Sequence, residues 1–238
     1  MMKVVIQMSV SAPEKEKMNI KTRYSELVFE SVKTNTSNGY LYTKRFLDII
    51  GSLVGLIMLI PVFLIISLLI KMEDPKGPVF FKQKRVGKHG RTFDMYKFRS
   101  MVSNAEDLKA ALQQQNEASG PVFKIKSDPR ITKIGKFIRK TSIDELPQLV
   151  NVLSGDMTIV GPRPALPDEV AQYTNYEKQR ISVTPGLTCF WQVNGRSNIS
   201  FKEWVEMDLE YIRKRSTALD IKLICKTILV LFGSKDAY

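Results

Sequence analysis

Two adjacent carboxylates, Asp144 and Glu145, lie in the stretch Arg139-Lys-Thr-Ser-Ile-Asp-Glu-Leu-Pro-Gln148, with Arg139 and Lys140 just upstream. Residue types in this arrangement suit either of two chemistries. An ionised carboxylate near cations can serve as a nucleophile or as a ligand for a hard metal ion. The plainer alternative is a helix start, because Ser142-x-x-Glu145 has the form of a capping box. Leu146, Leu149, Val150 and Leu153 recur at i, i+3, i+4 and i+7, which predicts an amphipathic helix with that apolar face buried. Pro147 fits its first turn if the helix begins at or after Asp144. A cap needs one acidic group and two are present, so chemistry and capping both stay open on these residues alone.

Composition narrows the chemistry. Among 238 residues there is one histidine, His89, and two cysteines, Cys189 and Cys225, without paired spacing. A disulfide framework, a zinc cluster and a histidine-based hydrolase are thereby disfavoured, and a reducing compartment is expected. The cysteines read as structural, and Met95 and Met101 as core. Net charge is +12, and residues 71–140 alone carry 17 Lys and Arg against 7 Asp and Glu. Such a surface calls for anionic partners, and basic loops without aromatic platforms in register favour phosphates over bases. Nucleic acid is therefore not expected. Neither a Walker A sequence nor a Gly-rich dinucleotide loop is present, which argues against a kinase or an NAD enzyme.

The elements that must position these residues begin with a hydrophobic run. Residues 1–43 read as a polar N-terminal extension without a secretory signal. Ile49–Ile70 is 22 residues without a charge, flanked by Lys44-Arg45 and Lys71. As a helix it would be roughly 33 Å long, the thickness of a bilayer core. Pro61 divides it, so it is expected either to span with a kink or to re-enter as a hairpin; basic flanks on both sides favour the hairpin. Ser52 or Ser67 is expected to satisfy the carbonyl freed before the proline.

Asp74–Pro78 reads as a turn. Val79–Val86 and Thr92–Met101 read as two strands joined at Gly87–Gly90. Alternation would place Lys97 and Arg99 on one strand face. Ala105–Gln115, Lys133–Lys140, Pro167–Ser182 and Phe201–Lys214 read as helices. Lys124–Arg130, Ser154–Asp156 and Gly161–Pro164 read as loops. The terminal segment, Leu219–Phe232, has interrupted apolar positions and reads either as an interfacial membrane helix or as a packed one.

Six motifs in this order carry a resemblance. They are Lys44-Arg-Phe-Leu-Asp48, the proline-broken hairpin about Ile60-Pro61, Tyr96-Lys-Phe-Arg-Ser-Met101, Asp128-Pro-Arg-Ile-Thr132, Thr141-Ser-Ile-Asp-Glu-Leu-Pro-Gln148, and Gly155-Asp-Met157 followed by Gly161-Pro-Arg-Pro164. Together, from Lys44 to about Phe232, they resemble the bacterial sugar transferase family, the monotopic polyprenol-phosphate phosphoglycosyl transferases. The compact form, without an N-terminal transmembrane bundle, is the nearer match.

The resemblance implies an α/β fold, mostly α, with a re-entrant membrane hairpin over residues 44–71. A catalytic domain over residues 72–238 would carry a small sheet and amphipathic interfacial helices. It implies transfer of a sugar 1-phosphate, a hexose 1-phosphate in the branch resembled by the linker Gln113–Lys124, from a UDP-sugar to undecaprenyl phosphate. UMP would be released, and exopolysaccharide, capsule or another glycoconjugate begun. Asp144 would be the nucleophile, with Glu145 beside it holding Mg²⁺ or handling a proton. Lys97, Arg99 and Arg139 would neutralise phosphate charge, and Pro162, Arg163 and Pro164 would bind the nucleotide. Asp208 would be a further acidic site residue, with Asp144 and Glu145 a candidate metal ligand. The expected location is the cytoplasmic face of the bacterial inner membrane, and the expected partners include a second copy of the chain and downstream glycosyltransferases. The competing expectation is a membrane-anchored basic protein without enzymatic activity, binding anionic lipid or a partner.

Overall fold

The computed structural model describes residues 32–109, 127–194 and 199–233, with a few positions between 110 and 126. Most of the expected extension, the end of the helix read over Ala105–Gln115, and most of the Gln113–Lys124 linker lie outside the described residues.

Two helices open the structure. Helix α1 spans Asn38–Met58 and α2 spans Ile60–Glu73. They meet at Leu59 with a bend of 58°. Proline is the cause: at residue 61 it has no N–H to donate to Ile57, and it is comfortable only in the first turn of a helix. The chain therefore breaks two residues ahead of Pro61 and restarts. Among the described residues no single helix is long and apolar enough to cross a membrane, although this bent pair together has the length and composition. Ser52 and Ser67 do not serve the break as expected. Their hydroxyls turn back onto the Asp48 carbonyl (2.6 Å) and the Phe63 carbonyl (2.6 Å), each within its own helix.

The two predicted strands form as β1 (Phe80–Val86) and β2 (Thr92–Phe98), an antiparallel hairpin pairing Phe81 with Lys97, Gln83 with Met95 and Arg85 with Phe93. His89 turns the connection with a φ of 55°. Short helix α3 (Ala105–Lys109) follows, then α4 (Lys133–Lys140), whose first turn is capped by the Thr132 hydroxyl. Ile66 and Ile70 of α2, Phe98 of β2 and Ile138 of α4 make one buried cluster, which fixes the hairpin to the rest of the molecule.

Helix α5 (Gln148–Ser154) departs from its predicted face. The buried positions are Gln148, Asn151 and Val152, whereas Val150 is 43% exposed. Asn151 accounts for this. Its side-chain amide donates to the Asp94 carbonyl (2.8 Å) and its oxygen accepts from the Tyr96 N–H (3.0 Å), so a polar residue stitches the helix to β2. The apolar periodicity points instead toward α1, where Gly55 leaves room for Leu149.

Strands β3 (Thr158–Val160) and β4 (Gly186–Thr188) pair in parallel, a feature too short for alternation to reveal. Gly186 is obligatory there, since a Cβ would collide with the backbone of Gly161. Between them, Pro167–Ser182 is not one helix. Helix α6 (Pro167–Ala171) stops, the Thr174 N–H bonds the Glu177 carboxylate (2.7 Å), and a 3₁₀ turn runs over Glu177–Ser182. Helices α7 (Phe190–Asn194), α8 (Phe201–Lys214) and α9 (Thr217–Gly233) close the main core around Val160, Cys189, Leu209, Ile212 and Leu223. Thus α9 packs inward through Leu223 while Ile221, Ile228 and Leu229 stay exposed. The fold is α/β and mostly helical, as expected.

The Lys44–Asp48 motif ties α1 to this body. Arg45 donates to the last carbonyls of α5, those of Val152 and Leu153 (2.7 Å each). Asp48 accepts from the Thr158 hydroxyl (2.7 Å) and the Ile159 N–H (2.8 Å). Lys44 reaches the Val160 carbonyl and Asp220 (2.8 Å each).

Candidate active site

Asp144 and Glu145 do not begin an α-helix. They sit in a 3₁₀ turn, Ile143–Glu145, entered through Ser142 at a φ of 57°. The Ser142 side chain makes no capping hydrogen bond, so the capping-box reading is set aside. A left-handed residue here reverses the chain between α4 and α5, and both carboxylates are thereby aimed back at the hairpin.

Lys97 on β2 meets them. Its ammonium lies 2.6 Å from Glu145 Oε1 and 3.8 Å from Asp144 Oδ2. Arg163, in the loop after β3, approaches the same Glu145 oxygen at 3.3 Å, with its guanidinium 5.8 Å over the Trp191 ring. Arg139, at the end of α4, adds positive potential at Asp144. Four of the expected residues and the loop bearing Pro162 and Pro164 therefore converge with Arg139 on one site.

The two carboxylates are not equivalent. Burial pushes Glu145 up, but Lys97 and Arg163 outweigh it and hold the group at about 2. Asp144 is raised above the ordinary carboxylate value: burial is the main cause, Lys97 opposes it, and the charge of Glu145 adds to it. Asp144 accepts no hydrogen bond from the described residues. One carboxylate anchors the cations; the other is desolvated and left with open lone pairs.

Two expected residues lie elsewhere. Arg99 is 7% exposed and clamps the turn after α2, donating to the Asp74 carbonyl (2.6 Å) and pairing with its carboxylate (3.2 Å). Gly77 leaves room for it, because a Cβ there would overlap the guanidinium as placed. Asp208 on α8 is fully buried against Arg180 (2.7 Å), whose guanidinium lies 4.7 Å over Trp204. Ile60 and Pro61 sit at the bend between α1 and α2. Among the described residues no group of three or more His, Cys, Asp or Glu side chains is arranged to hold a metal. Asp144 and Glu145 offer two carboxylates, which fits Mg²⁺ only with substrate phosphates and waters completing its octahedron. Asp208, spent on Arg180, does not fit.

A family model described as bacterial sugar transferase matches residues 39–234. The chain belongs to the bacterial sugar transferase family. Galactosyl transferase CpsE of Streptococcus agalactiae is 49% identical over 199 residues, covering 82% of this chain and 43% of that protein. Undecaprenyl-phosphate galactose phosphotransferase of Salmonella typhimurium is 41% identical over 205 residues, 83% of this chain and 42% of that protein. The exopolysaccharide production protein ExoY of Sinorhizobium fredii is 36% identical over 200 residues, with 82% and 88% covered. The chain thus spans less than half the length of the first two relatives and most of the third.

Sequence reasoning on this family member missed Arg85 and Trp191. Arg85 is 7% exposed and close enough to Glu145 to lower it further. Strand alternation carries the signal for Arg85: positions 81, 83 and 85 share a hairpin face with 97 across the register. Nothing local marks Trp191.

Proposed function

We propose that the chain transfers a sugar 1-phosphate, from a UDP-hexose, to undecaprenyl phosphate. One observation carries the reading: a buried carboxylate, Asp144, has no hydrogen-bond partner among the described residues and stands beside Lys97, Arg163 and Arg139. An Asp144 oxygen attacks the phosphorus attached to the sugar. The bond from that phosphorus to the oxygen bridging to UMP breaks, and UMP departs with the electron pair, leaving an aspartyl-phosphosugar. A phosphate oxygen of the lipid then attacks the same phosphorus and the Asp144 carboxylate leaves, giving undecaprenyl-diphosphate-sugar.

The chain's residues supply position and charge. Burial strips water from the attacking oxygen. Lys97 and Arg163, held on Glu145, neutralise the pyrophosphate and the charge that develops on the leaving group. The Pro162–Pro164 loop presents Arg163 to the nucleotide. Asp144 and Glu145 are the residues that would hold magnesium with the donor's phosphates, and the ion would add Lewis-acid neutralisation. The relatives named as lipid-carrier transferases support membrane association. The bent helix pair, with Ile57, Met58, Ile60, Leu64 and Leu68 exposed, is read as re-entrant in the inner membrane, leaving Asp144 at the cytoplasmic surface.

The test is a single-turnover assay with radiolabelled UDP-hexoses and magnesium, in detergent and without acceptor. Covalent label on the wild type, discharged to lipid by undecaprenyl phosphate and absent in Asp144→Asn, is expected. Lipid-linked sugar formed with no adduct at any time would replace the covalent route by direct transfer. No product from any UDP-hexose would reject the reading.

A further inference from the structure

Arg85 is a buried cation that the proposed chemistry does not use directly, and its surroundings are unusual for one. Its Nη1 donates to the Pro164 carbonyl at 2.9 Å. Its Nη2 and Nε both donate to Gln83 Oε1, at 2.6 and 3.2 Å. It forms no ion pair with the described residues, so its acceptors are neutral. The neighbouring Val86 N–H bonds the Ala165 carbonyl at 2.9 Å, so β1 grips the loop after β3 at two consecutive residues.

That loop begins at β3 and carries Arg163 one residue before the gripped carbonyl. At its other end Pro162 is held through its carbonyl by the Gly186 N–H at 2.8 Å. Arg163 is therefore bracketed on both sides by backbone tethers, and Arg85 supplies the only side-chain tether to the loop's backbone among those seen in the described residues. Burial and the charge of Arg163 together lower Arg85 to about 10, which places the two guanidinium groups within each other's field. Glu169 and Glu145 offset part of that repulsion, and Arg85's own bonds, to Gln83 and the Pro164 carbonyl, serve to place the loop that carries Arg163.

Resting on the transferase reading above, we infer that Arg85 is a positioning residue for the nucleotide donor. Through the Pro164 carbonyl it sets the reach of Arg163, and Gln83 locks its guanidinium plane. The lipid acceptor is not part of this arrangement, so donor and acceptor kinetics must separate.

The experiment measures KM for UDP-hexose and for undecaprenyl phosphate in wild type, Arg85→Gln, Arg85→Lys and Gln83→Ala, full chain in detergent with magnesium, alongside melting curves. Arg85→Gln is expected to raise donor KM about tenfold or more, the weight of one charge-assisted hydrogen bond. The acceptor KM should stay within about twofold of wild type. Arg85→Lys should recover part of the loss. Gln83→Ala, which leaves Arg85 and its charge in place, should raise donor KM about threefold, a smaller effect because the tether to the Pro164 carbonyl remains. A purely structural role would lower kcat for both substrates through a smaller folded fraction and leave both KM values alone. An unchanged donor KM in Gln83→Ala with either Arg85→Gln insoluble or its donor KM unchanged overturns the inference. Wild type inactive on every UDP-hexose would instead strike the transferase reading, a result distinct from indifference to Arg85.

Discussion

Two carboxylate–arginine constellations lie in this molecule, and they are built on opposite plans. At Asp208 and Arg180 one anion meets one cation at 2.7 Å, both essentially excluded from solvent and walled by Tyr173, Phe201 and Trp204. At Asp144 and Glu145 two anions face Lys97 and Arg163 directly, with Arg139 and Arg85 within electrostatic range, and Asp144 keeps free lone pairs. The first is balanced in charge, one anion to one cation, and closed to solvent. The second carries more positive charge than its own anions need and remains accessible, which is how a site awaiting a polyanion is built. Family resemblance alone put Asp208 with Asp144 and Glu145; stoichiometry and burial separate them.

The comparison breaks most sharply on Asp144→Asn. Turnover is expected to fall by roughly three orders of magnitude or more, since the neighbouring carboxylate, Glu145, is engaged by Lys97 and Arg163. The melting temperature should hold or rise, because a desolvated anion is removed. Residual activity near wild type would end the nucleophile assignment. Next in size, Asp208→Ala should cost about 3–5 kcal/mol of stability by stranding a buried Arg180. Thermal or chemical denaturation reads this directly. Loss of turnover in a variant that remains folded to the same temperature would mean Asp208 belongs with the site after all.

Sharpening comes from pH. In the proposed mechanism Asp144 must be ionised to attack, so kcat/KM should fall as pH drops through its pKa, which burial raises above the ordinary carboxylate value. Lys97→Met removes the cation that holds this pKa down, and the acid limb should move to higher pH. Glu145→Gln removes the anion that helps push it up, and the limb should move to lower pH. Both variants lose activity; the opposed directions are the test. Shifts in the same direction would mean that another group governs the limb. Glu145 itself, held at about 2 by Lys97 and Arg163, stays ionised across the working range.

How far the sequence led depended on the range over which each feature is encoded. The hairpin of β1 and β2, the proline break, α4 and α8 are local, written in alternation, ring chemistry and helical period, and they were legible. So was the convergence of Lys97, Arg163, Asp144 and Glu145, though through motif order and not through geometry. The destinations of Arg99 and Asp208 were not legible, because a partner such as Asp74 or Arg180 is chosen by the fold. Helix α5 shows the same limit in miniature. Its apolar residues are periodic as read, yet the most buried positions are Gln148, Asn151 and Val152, since Asn151 completes the edge of β2. Periodicity finds a stripe; it does not say which neighbour takes it.

The smallest predicted effect concerns Ser142, where the sequence signal and the structure part. Ser-x-x-Glu predicts a cap, in which the serine would take extended backbone angles and accept an N–H through its hydroxyl. Instead Ser142 is left-handed, at φ 57° and ψ 16°, and Glu145 is spent on Lys97 and Arg163. A left-handed L-residue costs about 1 kcal/mol, part of which glycine would recover after its own entropic cost. Ser142→Gly should therefore stabilise the protein by about 0.5 kcal/mol and leave the aspartyl adduct forming at near wild-type rate. Loss of a true cap has the opposite sign, a few tenths of a kcal/mol of destabilisation. The sign of so small a change decides whether these two carboxylates begin a helix or are presented by a turn. A turn frees Glu145 from backbone duty, and only then can it hold the two cations that leave Asp144 unbonded.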